Sequence, residues 1–476
     1  MRRLSELVLT GLLGVSIAPA CGEPDLPADD AWLLNTLAMD NRLLLERAPT
    51  LVAEKFGKMA VDPHQYLRGT NAAFIRQART GADEFPASAF DEPAVADVLL
   101  VGDAHLENFG TFRDVSGALV VEVNDFDAAT YGPFHLDVWR LGLSLDVALA
   151  MVDVPPEGRS FVVGAMADSY ARAVAAAARG QAGATLDDAR AGRVLADLLK
   201  RAAADGKVAE ELEDYSTATE AGRDMRWGTR EPPGPDFLED ALAPVTRRES
   251  ELVAALLARW PATLAEPDAL PAGALEPVSP VARRLGAGIG SYPLLRYYVV
   301  LEGPTAGRRD DWLVELKEAP APAALPSPLP GPARRFVDNG ARIVAAQRAL
   351  HGGPSRDALL GHATVGPASF RIRHRTKYQK GLEVMRLQEK WDDWTLADVE
   401  VLARELGTLL GQSHARASNG RGAPAASSLA GVLDGRETAF VTEVVQVAAA
   451  RGERLRAEYA RFLRLRETLG PSLGLP

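Results

Sequence analysis

Two short polar loops carry residue types and spacing suited to phosphoryl chemistry. The first is Gly102-Asp103-Ala104-His105-Leu106-Glu107-Asn108, and the second is Asn124-Asp125-Phe126-Asp127. Asp103 and Asn108 share one loop. A carboxylate there can accept a proton from, or orient, an attacking hydroxyl, while an amide oxygen ligates a metal. Both must sit on a short loop because nucleophile and metal flank the same phosphoryl group. Asp125 supplies a second metal ligand, and Asp127 touches the same ion or another. Magnesium favours oxygen ligands of this kind. His105 lies between the acid and the amide. It has no partners at metal-ligand spacing, so it joins Asp103 in the catalytic set only as a residue that shapes the loop. Asp137 follows Leu136 at the head of an apolar run and reads as a buried brace for the loop backbone. Each piece alone is weak, since a polar loop is by default solvated. The ordered set carries the reading.

The elements that must hold these loops are visible in the apolar pattern. Residues 97–102 and 118–124 are short apolar runs that lead into the two motifs, so each motif sits where a strand gives way to a loop, the usual place for chemistry on a rigid scaffold. Residues 32–55 and 136–178 have helical spacing. Residues 180–275 mix helices with a Pro-rich break at 231–235. A different character begins near 281. Gly286, Gly288 and Gly290 form a glycine-rich turn whose amides could cradle phosphates. Strands follow at Arg296 to Leu301 and Trp312 to Leu316, with Lys317 at the end of the second, and residues 319–333 read as an Ala/Pro-rich loop. Residues 334–350 and 395–416 are helical, the latter with Leu402, Leu406, Leu409 and Leu410 on one stripe. Arg68 before Gly69 reads equally as a bidentate phosphate clamp or a structural ion pair. Arg371, Arg373, Arg375 and Lys377 are either a solvated strand face or one wall of an anionic pocket. His414-Ala415-Arg416, at a helix end, reads as packing or capping.

The bulk numbers set the frame. At 476 residues the chain needs more than one core. It is 47% hydrophobic and 25% charged, which are globular values. A net charge of −11 speaks against nucleic acid as a partner. The single cysteine, Cys21, allows no internal disulfide. Residues 1–21 have a basic start, an apolar run and Ala18-Pro19-Ala20 before Cys21, a secretory pattern too short to span a membrane as an ordinary helix. A lipidated Cys21 would give membrane attachment and an exported protein. The alternative is a buried first helix and a cytoplasmic location. Residues 22–31 read as a tether.

Residues 102–145 resemble the small-molecule kinase branch typified by aminoglycoside phosphotransferases and choline kinases, through Gly-Asp-x-His-x-x-Asn and the later Asp-Phe-Asp. Over most of its length the chain resembles the bacterial family catalogued as domain of unknown function 2252. That resemblance rests on Tyr66 to Gly69, Gly102 to Gly110, Asn124 to Asp127, Gly288 to Ser291 and Leu316 to Ala319, with Gln347-Arg348 and His414 to Arg416. It implies an α+β, protein-kinase-like fold of two lobes. The order of parts is unusual, because the glycine-rich turn and the strand lysine follow the catalytic loop. The expectation is a circular permutation. Residues 281–375 form a β-rich nucleotide lobe, and residues 32–280 and 376–476 together form a larger helical lobe. The site implied uses ATP and Mg2+. Asp103 orients the acceptor, Asn108 and Asp125 hold the metal with Asp127, and Lys317 pairs with phosphate beside Gly286, Gly288 and Gly290. The function expected is phosphotransfer to an unknown small-molecule or protein hydroxyl. Two alternatives stand beside it: an inactive kinase-like scaffold that binds a ligand at the cell envelope, and metal-assisted hydrolysis of a phosphorylated substrate.

Overall fold

The computed structural model describes residues 27–81, 85–181, 183, 185–205, 208–228, 242–266, 270, 275–284, 288–305, 307–321, 336–353, 357–420 and 422–475. The signal segment with Cys21, most of the tether, the Pro-rich break at 231–235, Gly286 and most of the 319–333 loop lie outside them. The architecture is α+β, about 52% helix and 15% strand. The last residues assigned to the tether are helical, since the first helix spans Ala28–Asp40. No described helix is long and apolar enough to cross a membrane.

In chain order the strands are β1 (Val98–Leu100), β2 (Phe109–Arg113), β3 (Leu119–Val123), β4 (Thr130–Gly132), β5 (Ser216–Ala218), β6 (Arg223–Met225), β7 (Leu242–Pro244), β8 (Ala282–Arg284), β9 (Arg296–Leu301), β10 (Trp312–Glu318), β11 (Gly361–Val365) and β12 (Ala368–His374). β1 pairs with β4, β2 with β3 and β5 with β6, all antiparallel. The remaining six form one antiparallel sheet in the order β11-β12-β10-β9-β8-β7. It draws β7 from outside residues 281–375. The helix Asn339–Leu350 connects β10 to β11 and packs on β11 and β12. The chain leaving β12 then runs along β2. Thr111 donates its N–H to the Lys380 carbonyl and Leu382 donates to Phe109, each at 2.8 Å. That pairing ties the sheet to the hairpin that carries both polar loops.

Strand alternation sorts the sheet's side chains by face. Along β10, Val314 and Leu316 join one apolar core with Trp260, Tyr297 and Phe370. Leu313 joins a second core on the other face, with Tyr298 and Val300. Glu315 and Lys317 share Leu313's parity, so the face that carries them combines charge with apolar packing.

The largest core is helical. The helix Leu396–Arg416 begins with a capping box in which Thr395 and Asp398 satisfy each other's end of the first turn. Its buried stripe includes Leu402, Leu406, Leu409 and Leu410. It lies against the helix Pro156–Ala178 at backbone contact, because Gly407 and Gly411 face the main chain of Met166 and Tyr170 with no room for a Cβ. The helices His135–Ala150 and Glu437–Leu469 complete this body. A side chain at Gly407 must separate two packed helices. Gly407→Val should therefore cost about 3 kcal/mol, seen as a lower urea midpoint. An unchanged midpoint would refute the close contact.

Candidate active site

The first loop is held by its backbone. Val101 and Gly102 donate their N–H groups to the two oxygens of Asp137, at 2.7 and 3.0 Å. Asp137 lies in the first turn of the His135–Ala150 helix and is buried. His414 reaches the same carboxylate through Nε2 at 3.1 Å, and Tyr170 Oη meets His414 Nδ1 at 2.9 Å. The brace expected at Asp137 is therefore present, with His414 as its further partner. Gly102 has φ +83°, and a Cβ there would strike the Ala128 carbonyl. Only glycine suits this conformation and this contact.

Arg140, one turn after Asp137, orients Asp103. Its Nε donates to Asp103 Oδ1 at 2.9 Å and its Nη2 to the Leu67 carbonyl at 2.8 Å. Burial pushes the Asp103 carboxyl above its usual range against the pull of Arg140. Asn108 donates Nδ2 to the Asp103 carbonyl at 2.7 Å, which leaves its Oδ1 for another partner. His105 is buried. Desolvation, then the charge of Arg68, holds its imidazole well below its usual value, hence neutral.

The second loop meets the sheet. Lys317 Nζ lies 3.9 Å from Asp125 Oδ2 and pairs more closely with Asp127 Oδ2. Ser291, closing the glycine-rich turn, donates Oγ to Asp127 Oδ2 at 3.2 Å. Asp127 Oδ1 is buried with no hydrogen-bond partner. Burial would raise the Asp125 carboxyl. Lys317, Arg371 and the Asp127 N–H outweigh it and bring it to about 2. Arg342, from the Asn339–Leu350 helix, donates to the carbonyls of Asp127 at 2.9 Å, Pro320 at 2.6 Å and Ala129.

A cleft of about 640 Å³ opens between these parts, lined by Asp103, Asn108, Asp125, Asp127, Arg68 and Gly290 among others. Gly288 adopts φ +73° in the turn beside it. Gly286 lies outside the described residues. Arg68 is bound to Glu107 at 2.5 Å and to Gln65 at 2.7 Å, so the structure holds it as an ion pair. The basic run is neither a solvated face nor an open anionic wall. Arg371 and Arg373 converge on buried Glu315 at 3.1 Å each, Arg375 meets Glu211 at 3.2 Å and Lys377 meets Asp214 at 2.8 Å. Asp338 caps its helix through Ala341.

Arg140 and Ser291 were legible only as family-matching residues without a role, and two contributors escaped the sequence reading: Arg342 and Asn71, whose Nδ2 donates to the Gly102 carbonyl at 3.0 Å. Arg140 had a usable signal, since it lies three residues after Asp137 and so shares its helix face. Arg342 and Asn71 had none, because both bind carbonyls of distant segments.

A family described as an uncharacterized protein conserved in bacteria, DUF2252, matches residues 47–465. The chain belongs to this family. The DUF2252 match takes in both polar loops, the glycine-rich turn, Lys317 and the His414 brace. No curated protein and no solved structure matches the chain. The reading of this DUF2252 site therefore rests on its geometry. Asp137→Asn removes the charge that two backbone donors and His414 share. It should lower the unfolding free energy by about 3 kcal/mol, measured by urea denaturation at constant slope. A loss under about 0.5 kcal/mol would mean that the loop is held elsewhere.

Proposed function

We propose that this protein is a kinase-like phosphotransferase that uses Mg–ATP to phosphorylate a hydroxyl, with the nucleotide lobe permuted to follow the catalytic loop. One observation carries the reading: Lys317, far along the chain, lies against Asp125 and Asp127 beside the cleft that also holds Asp103 and Asn108. The part order supports it. A glycine-rich turn lies between β8 and β9, the lysine is on β10, and a helix intervenes before β11, as expected of a kinase-like nucleotide lobe.

The donor set fits magnesium. Among the described residues no group of three or more His, Cys, Asp or Glu could hold a metal. Magnesium needs only one or two carboxylates when phosphates and water complete its shell. Asp125, Asp127 through its unpartnered Oδ1, and Asn108 Oδ1 would hold it. Bound magnesium would neutralise the phosphate oxygens. Asp103 would align the acceptor hydroxyl and take its proton as the oxygen bonds to the γ-phosphorus, whose bond to the β–γ bridging oxygen breaks to release ADP. Arg140 fixes the Asp103 carboxylate in place. Lys317 exchanges its carboxylates for phosphate oxygens.

Titration calorimetry with ATP and magnesium tests the site. The expected result is magnesium-dependent binding that is lost in Asp125→Asn. Lys317→Met should weaken it at least tenfold, the worth of a charged hydrogen bond. No binding at millimolar ATP by folded protein would remove the ATP site. The inactive-scaffold reading would then gain, and one observation favours it already: Lys317 is paired with Asp127 and lies near Asp125.

The protonation of Asp103 adds a pH test. A base works deprotonated, and burial raises this carboxyl. Phosphotransfer should thus fall with falling pH, starting above the ordinary carboxylate value. Arg140→Met removes a charge that favours the carboxylate, so the acid limb of kcat/KM should move to higher pH. A limb that stays in place would clear Arg140 of that role.

A further inference from the structure

Helices that precede the catalytic loop form part of the cleft wall. Lys55, on the helix Val52–Met59, lines the cleft while its residue is only 4% exposed. Its Nζ donates to the neutral Asn41 Oδ1 at 2.5 Å. The carboxylate beside it, Asp40, is engaged by Arg76 at 2.5 Å. The other cleft cations differ. Arg47 is held by Glu318 and Arg68 by Glu107. Lys55 is thus an interior ammonium with donor capacity to spare, a costly arrangement unless an anion completes it. Burial lowers its pKa to about 8, against the pull of Asp40.

A second observation adjoins it. Asn71 also lines the cleft, and its Nδ2 is fixed on the Gly102 carbonyl, next to Asp103. Its Oδ1 is buried without a hydrogen-bond partner. It offers an acceptor for a hydroxyl or amine between Asp103 and the Lys55 wall.

We infer that Lys55 and Asn71 mark the acceptor subsite, and that the acceptor is a small hydroxyl compound bearing an oxyanion, a carboxylate or a phosphate-like group, which pairs with Lys55 while Asn71 accepts from a neighbouring donor. Calling the ligand an acceptor rests on the phosphotransferase reading; the oxyanion site does not. The ligand's charge would meet Lys55 and not Lys317, Asp125 or Asp127, so acceptor and nucleotide would bind together.

The probe is inorganic sulfate, which does not titrate near neutrality, followed by calorimetry on the full chain. Sulfate should bind the wild type, and saturating Mg–ATP should leave that binding in place. Lys55→Met should weaken it at least tenfold and Lys317→Met should not. Because sulfate favours protonated Lys55, binding at pH 8 should take up protons, read as a heat that varies with buffer ionisation enthalpy. This measurement needs no variant and guards against a Lys55→Met protein that misfolds. Acetate in parallel shows whether the subsite prefers a planar or a tetrahedral oxyanion. Sulfate bound equally by Lys55→Met, displaced by Mg–ATP, or bound without proton uptake would overturn the inference, as would no sulfate binding by a protein that binds Mg–ATP. Sulfate binding through Lys55 in a protein that ignores Mg–ATP would keep the oxyanion site and remove the phosphotransferase reading.

Discussion

The buried Asp137 carboxylate is the joint on which the rest of the site depends. It gathers two backbone donors of the first polar loop and the imidazole of His414. A carboxylate this deep costs several kcal/mol unless its oxygens are satisfied. All three donors must therefore be delivered together. The loop reaches it from β1, and His414 reaches it because Gly407 and Gly411 let two helices approach at backbone distance. Arg140 leaves the same helix one turn later and aims at Asp103. The position of the Asp103 carboxylate is in this way set by helix packing far from the cleft.

A second balance governs the cleft itself. The chain is acidic overall, yet the sheet face that meets the acidic loop presents Lys317, Arg296, Arg371 and Arg373 around a single glutamate, Glu315. Burial alone would raise Glu315; Arg296, Arg373 and Arg371 instead hold it well below the usual carboxylate range. One carboxylate shared among three guanidiniums leaves positive field to spare, which reaches Asp125. Lys317 supplies the local neutralisation. A phosphate ligand with its cation could exchange partners with these groups at little net electrostatic cost, because charge is already compensated on both sides of the exchange.

Much of this was legible in the residues. The two strands leading into the loops, the strand at Arg296 and the helix at Leu396 follow from local pattern, because apolar period and a polar stop are near-neighbour signals; the bracing role of Asp137 came from its place in the motif series. Residues 285–291 and Lys317 could be named but not located, since nothing local says that a strand meets a loop almost two hundred positions earlier. The edge strand β7 and its neighbour β8 were invisible, being three residues each. Arg371, Arg373 and Arg375 were read as a wall or a solvated face; the partners that neutralise them, Glu315 and Glu211, lie on other elements. Arg68 stayed open between a ligand contact and an ion pair because Glu107 meets it only in the fold.

Both loops are gripped largely by the main chain, while their carboxylates pair with side chains. Asp137 holds the N–H groups of Val101 and Gly102, Asn71 the Gly102 carbonyl, and Asn108 the Asp103 carbonyl. Arg342 takes the carbonyls of Asp127, Ala129 and Pro320. None of these grips uses the carboxylates of Asp103, Asp125 or Asp127. Those carboxylates meet Arg140, Lys317 and Ser291 and keep an oxygen in hand at Asp127. Side chains pinned by several strong donors would be accurate but spent, because each bond to the protein is one that a ligand must first break. A backbone pinned this firmly gives the accuracy without that loss, which is what preorganised catalysis requires. Asp125 is the exception, since its Oδ1 accepts the Asp127 N–H at 3.1 Å; at Asp103 and Asp127 the anchors hold the main chain, and the carboxylates line the cleft.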